Sequence, residues 1–309
     1  MVKNIKQKSL NDTLKSMDTE EFIDIHFYRP VGYRWALFFD SFNIHPNVVT
    51  IASIFIGIAA AVCFYFPNFW LNVAGVFLLI WANSYDSADG QLARMTGKKT
   101  QWGRILDGFA GDIWFFSIYV ALCMRMFPVW GLWIWALGAV SGLIFHSRQS
   151  SLADYYRNVH LFFLKGKSGS ELDNSDQQYA IYLSLPWKHN FWWKIFLYSY
   201  SRYTRSQENM SPSFQKFIHL LHHKYGEAIP KKLRDAFCEK SRPLMKYTNI
   251  LSFNTRSIAL FISVLIDMPW LYFVFELTIL NVLLFYMRYS HETISRTFYQ
   301  QLMQQTDEK

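Results

Sequence analysis

Four aspartates lie within one short stretch of the chain, at Asp86, Asp89, Asp107 and Asp112. Asp86 and Asp89 are three residues apart, so on a helix they share a face. The acids border apolar runs, where carboxylates are costly to place and usually have a function. If the two helices pack side by side, the carboxylate oxygens converge, and a divalent cation would neutralise them. All-oxygen ligation favours Mg²⁺ or Mn²⁺ over zinc.

Small residues and an arginine accompany these acids. Gly90 and Ala93 leave one side of the helix without bulk, so a ligand can approach the backbone. Arg94 adds a positive charge that suits a phosphate group. Metal ligands, small residues and an arginine together indicate a phosphorylated or pyrophosphate substrate.

The segment DSADGQLAR, followed after a spacer by GRILD, resembles the signature of the class I CDP-alcohol phosphotransferase (CDP-alcohol phosphatidyltransferase) family. That signature is written DxxDGxxAR, eight residues, GxxxDxxxD. The positions that fall at the expected spacing are Asp86, Asp89, Gly90, Ala93, Arg94, Gly103 and Asp107. The last position departs from it, because Gly111 stands where an aspartate is expected and the carboxylate follows at Asp112.

In the resembled family this final aspartate is a metal ligand and the proposed general base. On a regular helix residue 112 points roughly 100° away from residue 111, and a single π-helical bulge would bring Asp112 back. We therefore expect a bulged helix with Asp112 as ligand or base. In the alternative, three aspartates hold the metal ions and another group, such as His146 or water, takes the proton.

The resemblance implies transfer of a phosphatidyl or substituted phosphoryl group from a CDP-linked donor to an acceptor hydroxyl, with release of CMP at a two-metal Mg²⁺ or Mn²⁺ site. We assign the metal ions to Asp86, Asp89, Asp107 and Asp112, catalysis to Asp107 and Asp112, the nucleotide to Gly90, Ala93, Arg94 and Gly103, and the acceptor to Arg148 and Arg256. The expected donor is CDP-diacylglycerol, and inositol phosphate or glycerol phosphate is the expected acceptor. Two alternatives stay open, a neutral alcohol acceptor such as inositol, and a CDP-ethanolamine or CDP-choline type donor with a diglyceride acceptor.

Composition favours an integral membrane protein of the all-α class. The 309 residues are 51% hydrophobic and carry a formal charge of +8, and the apolar residues occur in long runs, which argues against a nucleic-acid partner. Six runs are each near the roughly 20 residues that cross a bilayer. They predict transmembrane helices at about 47–66, 69–88, 104–126, 129–147, 249–267 and 270–289, preceded by an N-terminal interfacial helix.

The predicted organisation has four parts. These are an N-terminal cytoplasmic or interfacial segment (1–46), helices one to four with the motif (47–157), a helical insertion (158–248), and helices five and six with the tail (249–309). In the insertion, Trp187, Trp192 and Trp193 suit headgroup depth, although a small soluble cap is the alternative. Basic residues in the loops predict that both termini and the active site are cytoplasmic at the cell (inner) membrane. We also expect a homodimer in contact with membrane lipids.

Two other classes of function remain in view. A cation transporter would place its acids near the bilayer midplane, on broken helices in paired halves, whereas these acids lie at one membrane edge. A catalytically silent relative of the enzyme is supported by the shifted carboxylate at Asp112.

Overall fold

A computed structural model of the chain describes residues 16, 18–98 and 100–307. In that part of the chain all regular structure is helical, which confirms the all-α prediction. The described residues form two compact units. One runs to Ser147 and adds Asn254–Thr278; the other comprises Arg148–Phe253 and the chain from Ile279 onward. The four-part division stays a prediction. Residues 1–15 and 17 of its N-terminal segment lie outside the described part of the chain.

The helices follow one another with short connections. In chain order they are α1 (Arg29–Ser41), α2 (Pro46–Tyr65), α3 (Phe69–Thr96), α4 (Gln101–Trp130), α5 (Trp133–Ala139), α6 (Ser147–Lys165), α7 (Ser175–Ser184), α8 (Trp187–Met210), α9 (Pro212–Tyr225), α10 (Lys231–Ser241), α11 (Met245–Ile250), α12 (Phe253–Leu265), α13 (Trp270–Phe275) and α14 (Asn281–Asp307). Additional π-helical turns occupy Asp24–Tyr28, Val140–His146 and Glu276–Leu280.

The connection between α3 and α4 is defined by its end residues. Gly97 ends α3 with φ of +70°, a left-handed conformation that glycine adopts without strain. Thr100 starts α4, because its hydroxyl oxygen accepts a hydrogen bond from the backbone N–H of Gly103 at 2.9 Å. The turn is therefore short, and it brings the end of α3 close to the start of α4.

Helix α2 packs against both α3 and α4 through glycines. A Cβ at Gly57 of α2 would overlap the indole of Trp114 on α4, and a Cβ at Gly75 of α3 would lie 2.6 Å from the Phe64 ring on α2. Larger residues at either glycine would force the helices apart. This close packing holds α3 and α4 against one central helix.

Three helical stretches are long and apolar enough to cross a membrane, namely Pro46–Tyr65, Ile105–Trp130 and Trp270–Gln304. They coincide with the first, third and sixth predicted spans. The other three predicted spans are helical but do not meet that measure. Helix α12, for example, has 13 residues, about 20 Å of helix, which is shorter than the hydrocarbon core. Six spans are therefore not confirmed.

The predicted insertion is helical and contributes to an aromatic core of the second unit. The rings of Phe163 and Phe237 stack with centroids 4.0 Å apart, and Phe217 stacks on Phe237 at 5.8 Å. Phe298 of α14 packs against both Phe217 and Phe237. These contacts join α6, α9, α10 and α14 into one packed body.

Candidate metal and nucleotide site

Three of the four predicted carboxylates converge. Asp86 and Asp89 of α3 and Asp107 of α4 each offer one oxygen, and these oxygens all lie within 4.8 Å of one another. Asp89 is buried, Asp86 is half-buried and Asp107 is exposed, so the cluster is accessible from the α4 side. Three carboxylates this close repel one another unless a cation or protons neutralise them. Their oxygen-only donor set fits a hard divalent ion.

Thr50 of α2 positions the buried member of this cluster. Its hydroxyl donates to Oδ2 of Asp89 at 2.5 Å, and Thr50 is itself only 2% exposed. Pro46, the first residue of α2, sits one turn before Thr50. The hydrogen bond fixes the Asp89 carboxylate from a second helix. Sequence reasoning did not assign Thr50 a role, although the helix-start pattern PNVVT ends on it.

The two predicted nucleotide-lining glycines have different surroundings. A Cβ at Gly103 would lie 2.8 Å from Oδ1 of Asn47 and 3.0 Å from Oγ1 of Thr100, so a larger residue there would displace these two side chains where α4 begins. At Gly90 the nearest atom to such a Cβ is Nη1 of Arg94, at an ordinary 3.5 Å. Packing thus accounts for Gly103, whereas Gly90 leaves room beside Asp89 and Arg94.

Arg94 lies in the electrostatic environment of the acids. The pKa of its guanidinium is lowered, mainly by burial and then by the positive charge of Arg29. The negative charges of Asp107, Glu20 and Asp89 oppose this shift without cancelling it. Arg29 is held by Glu20, with Nη2 to Oε1 at 2.9 Å. The N-terminal segment therefore adds a second arginine and an acid to this neighbourhood, which the motif spacing did not indicate.

Asp112 does not join the cluster. The structure describes the whole backbone of α4, and no π-helical turn interrupts it, so the predicted bulge is wrong. Asp112 is exposed and stays roughly 100° around the helix from residue 111. A Cβ at Gly111 would meet nothing within 4 Å. The position that the family signature assigns to its last carboxylate is therefore open space.

Arg256 is enclosed and does not present its charge to an acceptor. It is 1% exposed, and Nη1 lies 2.6 Å from Oε1 of Glu276 and 3.0 Å from Nδ1 of His146. The predicted acceptor role of Arg256 is corrected accordingly, and His146 is occupied by the same pair. Arg148 is exposed near the start of α6, in the other compact unit; its contact with an acceptor stays a prediction.

Glu276, which the sequence left without a role, is the centre of this buried network. It accepts hydrogen bonds from the hydroxyls of Ser141 at 2.6 Å and Tyr272 at 2.8 Å, and also from Tyr119. Its partners on α4, α12 and α13 and in the π-helical turn Val140–His146 satisfy the charge. A paired and fully hydrogen-bonded carboxylate of this kind ties helices together.

These features define an all-helical protein with membrane-length apolar helices and a cluster of three aspartates that could hold a divalent ion. Residues 43–162 match the family model described as CDP-alcohol phosphatidyltransferase, and the chain therefore contains a domain of this family of transferases of phosphorus-containing groups. The match covers α2 to α5 and most of α6, and includes all three converging aspartates. Members of the family are integral to membranes, use CDP-alcohol donors with alcohol acceptors and are generally divalent-metal dependent. No curated protein and no solved structure matches the chain significantly.

Proposed function

We propose that this protein is a metal-dependent phosphotransferase of phospholipid synthesis that moves a phosphatidyl group from CDP-diacylglycerol to the hydroxyl of inositol phosphate or glycerol phosphate and releases CMP. The observation that carries the proposal is the convergence of Asp86, Asp89 and Asp107 within the matched domain. When bound at these residues, divalent ions would offset the negative charge of the pyrophosphate and of the departing CMP.

The chain's own residues have separate tasks in this scheme. The acceptor oxygen forms a bond to the phosphatidyl phosphorus, and the bond from that phosphorus to the bridging pyrophosphate oxygen breaks, so that this oxygen leaves with CMP. The acceptor proton passes to Asp107, the exposed carboxylate of the three. Arg94 binds the phosphates by charge-assisted hydrogen bonds, and the space at Gly90 admits the nucleotide.

Further parts of the proposal come from sequence and family. The protein crosses the cell (inner) membrane six times, keeps both termini and the acidic site cytoplasmic, and works as a homodimer. The loop charges and the apolar runs support this topology. An exposed Arg148 supports a phosphorylated acceptor, since an arginine pairs well with phosphate.

The test is incubation of the purified full-length protein with CDP-diacylglycerol, Mn²⁺ and a panel of alcohols and alcohol phosphates. CMP is followed, and the lipid product is identified by its mass. We expect CMP and one phosphatidyl product that require both Mn²⁺ and a phosphorylated acceptor. If no acceptor yields CMP, the transferase proposal is wrong. A parallel incubation replaces the donor with CDP-ethanolamine and the acceptor with a diglyceride; product there alone would reassign the donor and acceptor.

A second candidate, a silent family member that binds a CDP-lipid without turning it over, is favoured by the open space at Gly111 and the outward-facing Asp112. Titration calorimetry with Mn²⁺ and CDP-diacylglycerol distinguishes the two. Binding without CMP release would select the silent protein, and binding with release would select the enzyme.

A further inference from the structure

The α7–α8 hairpin exposes a group of large apolar side chains at its tip. The two helices pack against each other, and the chain reverses at Leu185 and Pro186. Leu183 is 62% exposed and Trp192 is 69% exposed, and Trp187 and Phe191 are also exposed. Contiguous apolar surface of this kind usually marks an interaction site.

The tip has a defined shape because Lys194 closes it. Its Nζ donates to the backbone carbonyls of Tyr182 at 2.6 Å and Leu185 at 2.7 Å, near the end of α7. The same ammonium group lies 4.3 Å from the centre of the Tyr182 ring and 4.9 Å from that of Trp187. These contacts hold α8 against the end of α7 and fix the direction in which the aromatic group points.

Charge on the hairpin has one sign near the tip. Residues 177–207 contain no Asp or Glu, but they do contain Lys188, Lys194, Arg202 and Arg205. Arg205 pairs with Asp176 at the far end of the hairpin from the tip, whereas Lys188 is exposed beside the aromatic side chains. The tip therefore combines apolar rings with positive charge.

We propose that the tip of the α7–α8 hairpin inserts into the interfacial region of a bilayer that contains anionic phospholipids. Tryptophan and tyrosine favour headgroup depth, and an exposed lysine is attracted to an anionic leaflet. We favour a bilayer over a protein partner, because the same chain carries helices long and apolar enough to cross a membrane. This inference is independent of the proposed transferase activity.

The test uses the full-length protein in vesicles of phosphatidylcholine and phosphatidylglycerol. An environment-sensitive fluorophore is attached at Trp192→Cys, and at Ser206→Cys as the matched control on an exposed position of the same helix. Protein with only the native cysteines gives the background. We expect a headgroup nitroxide lipid to quench the label at 192 and aqueous iodide to have little effect on it, with the reverse order at 206.

The quenching pattern at position 192 decides whether the tip lies in the bilayer. Equal iodide quenching at both positions would overturn the proposal, and so would a label at 192 that neither quencher reaches, since a protein would then cover the tip. His189→Cys, also exposed at the tip, provides the same measurement if Trp192→Cys does not fold. Omitting phosphatidylglycerol, or substituting Lys188→Gln, should reduce the lipid quenching; no reduction in either case would overturn the role of anionic lipid.

Discussion

Gly111→Asp should strengthen metal binding at the acidic site. Residue 111 is one turn beyond Asp107 on α4, roughly 40° around the helix from it, and a Cβ there meets no atom within 4 Å. The backbone at 111 is α-helical, and aspartate is a slightly better helix former than glycine. The substitution can therefore place a fourth carboxylate beside the cluster without a steric penalty.

The size of the effect follows from the charges. A divalent ion about 4 Å from the new carboxylate attracts it by about 8 kcal/mol at an effective dielectric constant of about 20. Since Asp107 is exposed, water and salt screen much of this attraction. We therefore expect about a tenfold to hundredfold gain in Mn²⁺ affinity, or about 1.4–2.8 kcal/mol. Repulsion from the existing carboxylates, about 3 kcal/mol for a pair about 5 Å apart, should destabilise the metal-free form.

The assay is titration calorimetry with Mn²⁺, combined with thermal unfolding with and without the ion. Gly108→Asp is the control for the added charge, because a Cβ at 108 also meets open space but residue 108 lies roughly 100° around the helix from Asp107, against roughly 40° for residue 111. Gly111→Asp should lower the metal-free unfolding temperature, and Mn²⁺ should more than restore it. Equal changes in Mn²⁺ affinity for the two variants, or none in either, would refute the location of the site.

Substitutions at four further positions test the same structure. Asp107→Asn should abolish metal-dependent CMP release while the protein stays folded in detergent, and Asp112→Asn should leave most of it; comparable losses in both would restore a role for Asp112. Thr50→Val removes the hydrogen bond to Asp89 and should weaken Mn²⁺ binding about 10-fold or more, whereas Thr50→Ser should retain it in the same titration. Glu276→Ala leaves a buried arginine charge uncompensated and should lower the free energy of unfolding by about 3–5 kcal/mol. The unfolding temperature should fall, while the protein that stays folded in detergent should keep its affinity for Mn²⁺.

The starts of some helices could be predicted from prolines in the sequence, but the lengths of the helices could not. Pro46 is the first residue of α2 and Pro269 immediately precedes α13, whereas Pro128, which separates the third and fourth apolar runs, lies inside α4. The second apolar run was predicted to end at 88, whereas α3 continues to Thr96, because residues 91–95 (QLARM) are all good helix formers and Gly97 then ends the helix. The length of an apolar run therefore predicts the part of a helix that can lie in a membrane, but not where the helix ends.

The site was predictable where its residues are close in sequence. The spacing of Asp86, Asp89 and Asp107 was enough to predict that they converge, because only a short turn joins their two helices. The Thr50–Asp89 hydrogen bond joins residues 39 positions apart, and the hydroxyl of Ser141 reaches Glu276 from 135 positions away, so no local pattern indicates these contacts. The bulge failed for a different reason: it was inferred only from the one-residue shift of Asp112, and the backbone of α4 stays α-helical there.

The glycines of the first unit differ in what a side chain at each position would meet. At Gly57 and Gly75 it would overlap an aromatic ring, so packing requires glycine. At Gly90 and Gly111 packing makes no such demand, yet glycine inside a helix costs up to about 1 kcal/mol relative to alanine. Both positions adjoin the acids, where a phosphate-bearing ligand needs room that a bare cation does not. The open space therefore favours a substrate site over a cation pathway.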